Sequence, residues 1–354
     1  MSAWSIGAIQ MDVPVVLAPM AAVTNPPFRL LCREMGAGLV VTEMIHAAEL
    51  VKGGVRSLEM LDIRPTEHPV AVQLFGGDPE TMARAAAIVE RAGADMVDIN
   101  FGCPMKKVVR NGLGAALLRR PERIGEIVRA MAGAVSIPVM AKIRAGWQDS
   151  SAVEVGRAIE DAGGAAITIH GRTQKDGFEG HADLGSVAQL VQAVSLPVIG
   201  NGDVRDAASA DRMMATGCAA VMVGRGCMGY PWVFRELRAH FAGNEVPGEP
   251  TVDERGEVIR RHVELYADTY GESRTALQIR KHLLWYFRQT PGEAVLKGRL
   301  ARLSTLDDVF GAVDAAIDAC QQPGSRFVRG LDKHPNRRQT CRERPAVTAA
   351  RKAS

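Results

Sequence analysis

Met96-Val97-Asp98-Ile99-Asn100-Phe101-Gly102-Cys103-Pro104-Met105-Lys106-Lys107 is the stretch from which the fold can be read. Residues 96–99 read as a short buried strand, and 100–104 as the loop into which it opens. An Asn, a Gly and a lone Cys held by Pro104 are unusual at a strand end, and the two lysines set positive charge beside the thiol. A structural cysteine followed by a turn accounts for the same residues, because cysteine is among the most buried residue types. The flanking sequence decides between the two.

Outward from this point the same unit recurs. Short apolar runs at 15–18, 39–42, 70–74, 96–99, 139–142, 166–169, 198–200 and 220–223 read as strands. Amphipathic segments at 26–35, 79–92, 121–134, 151–162, 184–194 and 206–216 fall between most of them. Pro79 and Pro121 stand where proline starts a helix, and Gly93, Gly163 and Gly217 where glycine ends one. Eight strand–helix units over this length predict an α/β TIM (β/α)8 barrel rather than an open sheet. The stretch 44–67 is long for a loop and is expected to hold part of a helix.

The chain has 354 residues, 47% of them apolar, with a net charge of +3 and a mean hydropathy of -0.02. These values describe a globular protein with a sizeable core, and the small net charge does not by itself indicate nucleic acid. No run approaches the roughly 20 apolar residues of a membrane helix, and the start lacks the pattern of a secretory signal. The six cysteines contain no CxxC pair, which argues against a disulfide framework and a metal site. A reducing, cytoplasmic setting, with no membrane and no metal, is the expectation. Residues 1–242 are expected to form the barrel. After a Gly/Pro/Glu-rich break at 243–250, the segments 252–269, 272–289, 291–303 and 306–320 read as a small all-helical domain spanning 251–320. The remainder, 321–354, reads as a basic disordered tail.

A TIM barrel carries its site at the C-terminal strand ends, so those ends test the reading. They are Ala18-Pro19-Met20, Glu43, Gln73, Asn100 to Cys103, Lys142 to Arg144, His170-Gly171-Arg172, Asn201-Gly202-Asp203 and Gly224-Arg225. So many polar groups after apolar strands argue for a ligand mouth, because buried polar groups need partners. The last two ends suit a phosphate, with glycines for close backbone approach and Arg225 for bidentate pairing. Lys142 and His170 suit either general-base chemistry or recognition of a flavin, and Gln73 suits the flavin's carbonyl edge.

At these residues the sequence resembles the tRNA-dihydrouridine synthases, most closely their bacterial B-type branch. The motifs are APM (18–20), TEM (42–44), QLFGGDPE (73–80), DINFGCP (98–104), KIRAGW (142–147), HGRT (170–173), NGD (201–203), GRG (224–226) and RKHL (280–283). The resemblance implies an FMN enzyme, reduced by NADPH, that saturates the C5–C6 bond of a tRNA uridine. The B-type likeness points to D-loop position 17. It implies that Pro19, Met20, Ala21, Gln73, Lys142, His170, Asn201, Gly202, Asp203, Gly224 and Arg225 bind FMN. Cys103 is then the proton donor, and Asn100 and Arg144 hold the uracil. Lys106 and Lys107, on the Cys loop, are expected to meet the phosphates flanking the target base. In the helical domain, basic residues that include Arg280 and Lys281 are interleaved with aromatics and are expected to bind tRNA. A monomer is expected. Ala22 stands where the family commonly has Gly. Two rivals stay open at this point: a flavin reductase of free pyrimidines, and a non-catalytic RNA-binding flavoprotein.

Overall fold

The computed structural model describes residues 4–321; apart from Gln321, the expected tail 321–354 lies outside the described residues. Eleven strands are described: β1 (Trp4–Ile6), β2 (Ile9–Met11), β3 (Val15–Leu17), β4 (Leu39–Val41), β5 (Ile45–His46), β6 (Val70–Phe75), β7 (Met96–Asn100), β8 (Val139–Arg144), β9 (Ala166–His170), β10 (Val198–Asn201) and β11 (Ala220–Val223). The parallel order β3-β4-β6-β7-β8-β9-β10-β11 closes on itself, because β11 pairs with β3 and β4 pairs with β6. This is the eight-stranded barrel, and each expected strand lies in it.

The two-residue period of a strand explains how one sequence lines both the floor and the mouth. Ala71, Met96, Met140, Ala166 and Ile199 belong to one apolar cluster inside the ring, with Val16, Leu39, Val41, Ala220 and Met222. Two residues further along the same strand faces stand Gln73, Asp98, Lys142, Thr168 and Asn201. Two further still are Asn100, Arg144 and His170. The inward faces thus change from apolar to polar on passing up the barrel.

The hairpin β1–β2 adds Ile6 and Met11 to the same interior cluster, with Trp4 and Ile9 packed against it. The sequence reading missed this plug. The short strand β5 pairs with the end of β6, and 44–67 also holds the helices Ala47–Val51 and Val55–Met60. The buried pair Arg29–Glu67, at 2.6 Å, ties this excursion to helix Pro26–Glu34.

Beyond Thr251, itself the N-cap of Val252–Tyr270, the described residues are helical: Val252–Tyr270, Glu272–Gln278, Arg280–Tyr286, Pro291–Arg299 and Leu306–Cys320. The single helix expected over 272–289 is interrupted at Ile279, where His282 N–H reaches back only three residues to the Ile279 carbonyl. These helices share one apolar cluster with the barrel's outer layer. Asn25 Nδ2 donates to Tyr266 Oη at 2.7 Å, and the Phe28 ring lies 5.1 Å from that of His282. No described helix is long and apolar enough to cross a membrane.

Candidate active site

The C-terminal ends of the barrel strands surround a cavity of about 840 Å3. That falls within the roughly 300–1,000 Å3 of small-molecule and cofactor sites. On one wall, β6 and β7 supply a chain of amides. Asn100 Oδ1 accepts from the N–H groups of Gly102 and Cys103 at 3.2 and 2.8 Å, which folds the loop so that Cys103 lines the cavity. Asn100 Nδ2 donates to Gln73 Oε1 at 2.8 Å, and Gln73 Nε2 donates to Asp98 Oδ2 at 2.6 Å.

The opposite wall comes from β8, β9 and β10. Lys142 Nζ donates to Asn201 Oδ1 at 3.0 Å, and Asn201 Nδ2 donates to the Met222 carbonyl at 2.9 Å. Arg144 anchors the Cys103 loop by donating to the Gly102 carbonyl at 2.7 Å, and reaches the Thr173 and Gly177 carbonyls at 2.9 and 2.8 Å. Arg172 approaches His170 Nε2 at 3.3 Å. A guanidinium only donates, so Nε2 is the acceptor and the proton of the neutral ring sits on Nδ1.

At the end formed by β10 and β11, Gly202 and Asp203 hold φ of +129° and +56°, which turns their backbone into the mouth. The Asp203 carboxylate is engaged by its neighbours. Arg172 donates to both its oxygens at 2.9 Å, the Ala182 N–H bonds it at 2.8 Å, and Arg225 lies 3.7 Å away. A Cβ on Gly224 would meet nothing nearer than Ala18 Cβ at 3.6 Å, so its lack of a side chain leaves open room at the mouth. These backbone groups, with Arg225, form a donor set suited to a phosphate.

Burial dominates the electrostatics. It pushes the Cys103 thiol up, against the Met105 N–H and the charge of Arg144, so the thiol keeps its proton at neutral pH. Burial and the neighbouring Arg144 bring Lys142 down to about 8, while Asp98 works against the fall. Burial, with the charges of Arg144, Lys142, Arg172 and Arg225, holds His170 well below its ordinary value and therefore neutral. The Asp98 carboxyl is pushed up to about 6 by burial, offset in part by Gln73 and Lys142.

The cavity brings together Pro19, Met20, Ala21, Gln73, Asn100, Cys103, Lys142, Arg144, His170, Asn201, Gly202, Asp203, Gly224, Arg225 and Lys281. Three residues expected to meet tRNA lie outside the cavity lining. Lys106 and Lys107 are exposed on helix Lys106–Arg110 and do not line the cavity; the charge that bears on the thiol is Arg144, not these lysines. Arg280 donates to the Ala276 and Leu303 carbonyls at 2.9 and 2.6 Å, so its guanidinium is engaged inside the helical segment. Lys281 instead donates to the Ala22 carbonyl at the rim, where Leu284 and Trp285 join it.

Sequence reading passed over Asp98 and Phe178 as site residues, and named Arg172 among the polar strand ends without giving it a role. Asp98 follows the inward period of β7, and that signal could have found it. Phe178, 40% exposed, stands in a loop where only the fold brings it 5.3 and 5.6 Å from the guanidinium carbons of Arg144 and Arg225.

A parallel barrel whose mouth joins a buried lysine, a neutral histidine, a protonated thiol and an end suited to a phosphate is the site of a barrel oxidoreductase. The sequence pattern of the family described as dihydrouridine synthase (Dus) matches residues 16–321, and the chain belongs to that family. It is 41% identical over 348 residues to a Mycobacterium tuberculosis protein named "Probable tRNA-dihydrouridine synthase", covering 94% of this chain and 90% of that protein. The tRNA-dihydrouridine synthase B of Pseudomonas aeruginosa is 38% identical, over 87% of this chain and 93% of that protein. That of Xanthomonas axonopodis is 36% identical, over 88% and 97%. A solved structure of morphinone reductase in complex with tetrahydroNAD superposes with a TM-score of 0.49 at 15% identity, over 72% of this chain and 93% of that one.

Proposed function

We propose that this chain is an FMN-dependent tRNA-dihydrouridine synthase that saturates the C5–C6 bond of a tRNA uridine, with NADPH as the electron source. The names of its relatives support the substrate, and the cavity's chemistry supports the cofactor. Lys142 offers three N–H donors and uses one on Asn201, which leaves it able to meet an anionic ring edge. Gln73 uses one N–H of its amide on Asp98 and keeps the other. The Gly202, Asp203, Gly224 and Arg225 end would hold the phosphate. When bound there, FMN would supply two-electron redox chemistry, with NADPH as the electron source and the uracil C5–C6 bond as the acceptor.

The chain's own residues do the rest. Cys103 holds the proton that C5 requires, and burial keeps it in place until the pyrimidine accepts it. Asn100 and Arg144 orient the uracil edge, and Arg144 stabilises charge on its carbonyl oxygen. The uridine must leave its stack to enter the mouth. The segment 251–320 carries the second tRNA contact, and D-loop position 17 is the target to examine first.

The observation that carries this reading is the placing of Cys103 in the lining of the polar mouth, its backbone N–H held by Asn100. Purified protein is expected to be yellow and to restore dihydrouridine to tRNA from cells lacking the gene. Cys103→Ala should keep FMN and NADPH oxidation while tRNA reduction falls about 100- to 10,000-fold. Colourless protein that refuses FMN, or tRNA that retains every dihydrouridine after gene deletion, would sink the reading.

A further inference from the structure

The hydrogen bonds beneath Cys103 all run one way, from Cys103 N–H to Asn100, from Asn100 to Gln73, and from Gln73 to Asp98. A primary amide can present either end, so nothing within Asn100 or Gln73 selects this order. Asp98 does. An ionised carboxylate only accepts, so Gln73 must turn Nε2 towards it. Gln73 Oε1 then faces Asn100, Asn100 must answer with Nδ2, and its Oδ1 is left to catch the N–H of Cys103.

We propose that Asp98 is a positioning residue for the reaction, which by orienting two successive amides sets the place of the Cys103 thiol. This rests on the reading of Cys103 as proton donor. Two further observations support it. Asp98 is 1% exposed, and its Oδ1 has no hydrogen-bond partner among the described residues. A carboxylate buried with only one oxygen bonded is unfavourable for the fold, and such groups concentrate at functional sites. The groups that bear on it are the Gln73 amide from β6, Lys142 from β8 and the backbone N–H of Ile99 on its own strand. Lys142 is the charged group that bears on it directly, and burial brings the carboxyl's titration to about pH 6.

Asp98→Asn in the FMN-loaded protein tests this. Asparagine keeps the shape but can donate as well as accept, so the order of the amides is no longer imposed. FMN content is expected to stay, and Tm at neutral pH to hold or rise. The kcat for tRNA reduction should fall about 10- to 100-fold with KM for tRNA unchanged, as for a displaced catalytic group. Wild-type kcat is expected to fall below about pH 6 as Asp98 takes up its proton, and the variant is expected to lack that acid limb. Iodoacetamide labelling of Cys103, read by mass spectrometry, should quicken several-fold as the loop loses its anchor. Wild-type kcat, acid limb and labelling rate in the variant would overturn the proposal. So would a joint loss of Tm and FMN, which would make Asp98 a packing residue. Labelling needs no substrate, so it separates this proposal from the reading of the enzyme: colourless wild-type protein would defeat only the latter.

Discussion

Ala22 holds φ at +61°, in the left-handed region that suits glycine. Its N–H donates to Glu43 and its carbonyl accepts from Lys281, so the first loop is pinned from both sides while the residue remains strained. The strain amounts to about 1–2 kcal/mol, and the extra freedom of an unfolded glycine returns about 0.4–1 kcal/mol of it. Ala22→Gly is therefore expected to stabilise the protein by about 0.5–1 kcal/mol, raising Tm by about 2 °C. A fall in the urea midpoint would show that the loop is not under tension. At this scale the sequence was informative wherever a strand's period carried the residue inward, as for Gln73, Lys142 and His170. It was less informative about the thiol's electrostatics: Lys106 and Lys107 follow Cys103 in sequence but lie on an exposed helix, and the charge that bears on the thiol is Arg144.

The joint between helix Pro26–Glu34 and the helices after Thr251 is built on two buried histidines. His262 and His282 lie 0% and 1% exposed, 4.8 Å apart by ring centroid and both against Phe28. Three of their four ring nitrogens have no partner among the described residues; the fourth, His262 Nδ1, meets Tyr286 Oη at 3.1 Å. Burial, then the charge of Lys281, brings His262 down to about 3. Burial, then His262 and Lys281, holds His282 well below its ordinary value. Unfolded histidine titrates near 6.5, so below that pH the unfolded chain takes up protons that the native joint refuses. Stability is thus full above about pH 6.5 and lost as pH falls towards the folded values, by about 1.4 kcal/mol per pH unit for each histidine. His170 adds in the same direction; Asp98, with its raised value, opposes between about pH 6 and 4. Urea unfolding at pH 7, 6 and 5 should show the decline, and His282→Phe should remove about one proton's share of the slope. An unchanged slope in the variant would exclude His282 as a source. The barrel strands were legible because each has buried residues on both faces. The β1–β2 hairpin was not, since three residues give no period, and the histidine joint depends on packing between segments more than 200 residues apart.

Across the whole molecule, positive charge is distributed differently from what the composition of the helical segment suggests. Arg280 bonds carbonyls within that segment, and Lys281 bonds the barrel's first loop at the cavity rim. No linear reading separates these from Arg274, Lys297, Arg299 and Arg302, which are exposed. Nor does it show that Leu284 and Trp285 reach the cavity. The ion pairs Arg274–Glu59 at 3.6 Å and Lys297–Glu293 at 2.7 Å lie at the surface, where such pairs contribute roughly 0–1 kcal/mol and yield readily to a polyanion. Lys106, Lys107 and Arg110 add a second exposed basic group on the Cys103 side of the mouth. On the proposed function, Lys106 and Lys107 stand where the phosphates flanking the target base would pass. Each phosphate contact releases counterions, so losing one should reduce the slope of log K against log salt by about 0.7–0.9. Lys106→Gln with Lys107→Gln is expected to flatten the tRNA-binding slope by about 1.4–1.8 while FMN content and Tm stay as they are. Arg280→Gln should do the reverse, lowering Tm through the two carbonyls it abandons and leaving the salt slope alone. A flattened slope for Arg280→Gln at unchanged Tm would place that guanidinium on the RNA instead of inside the helical segment.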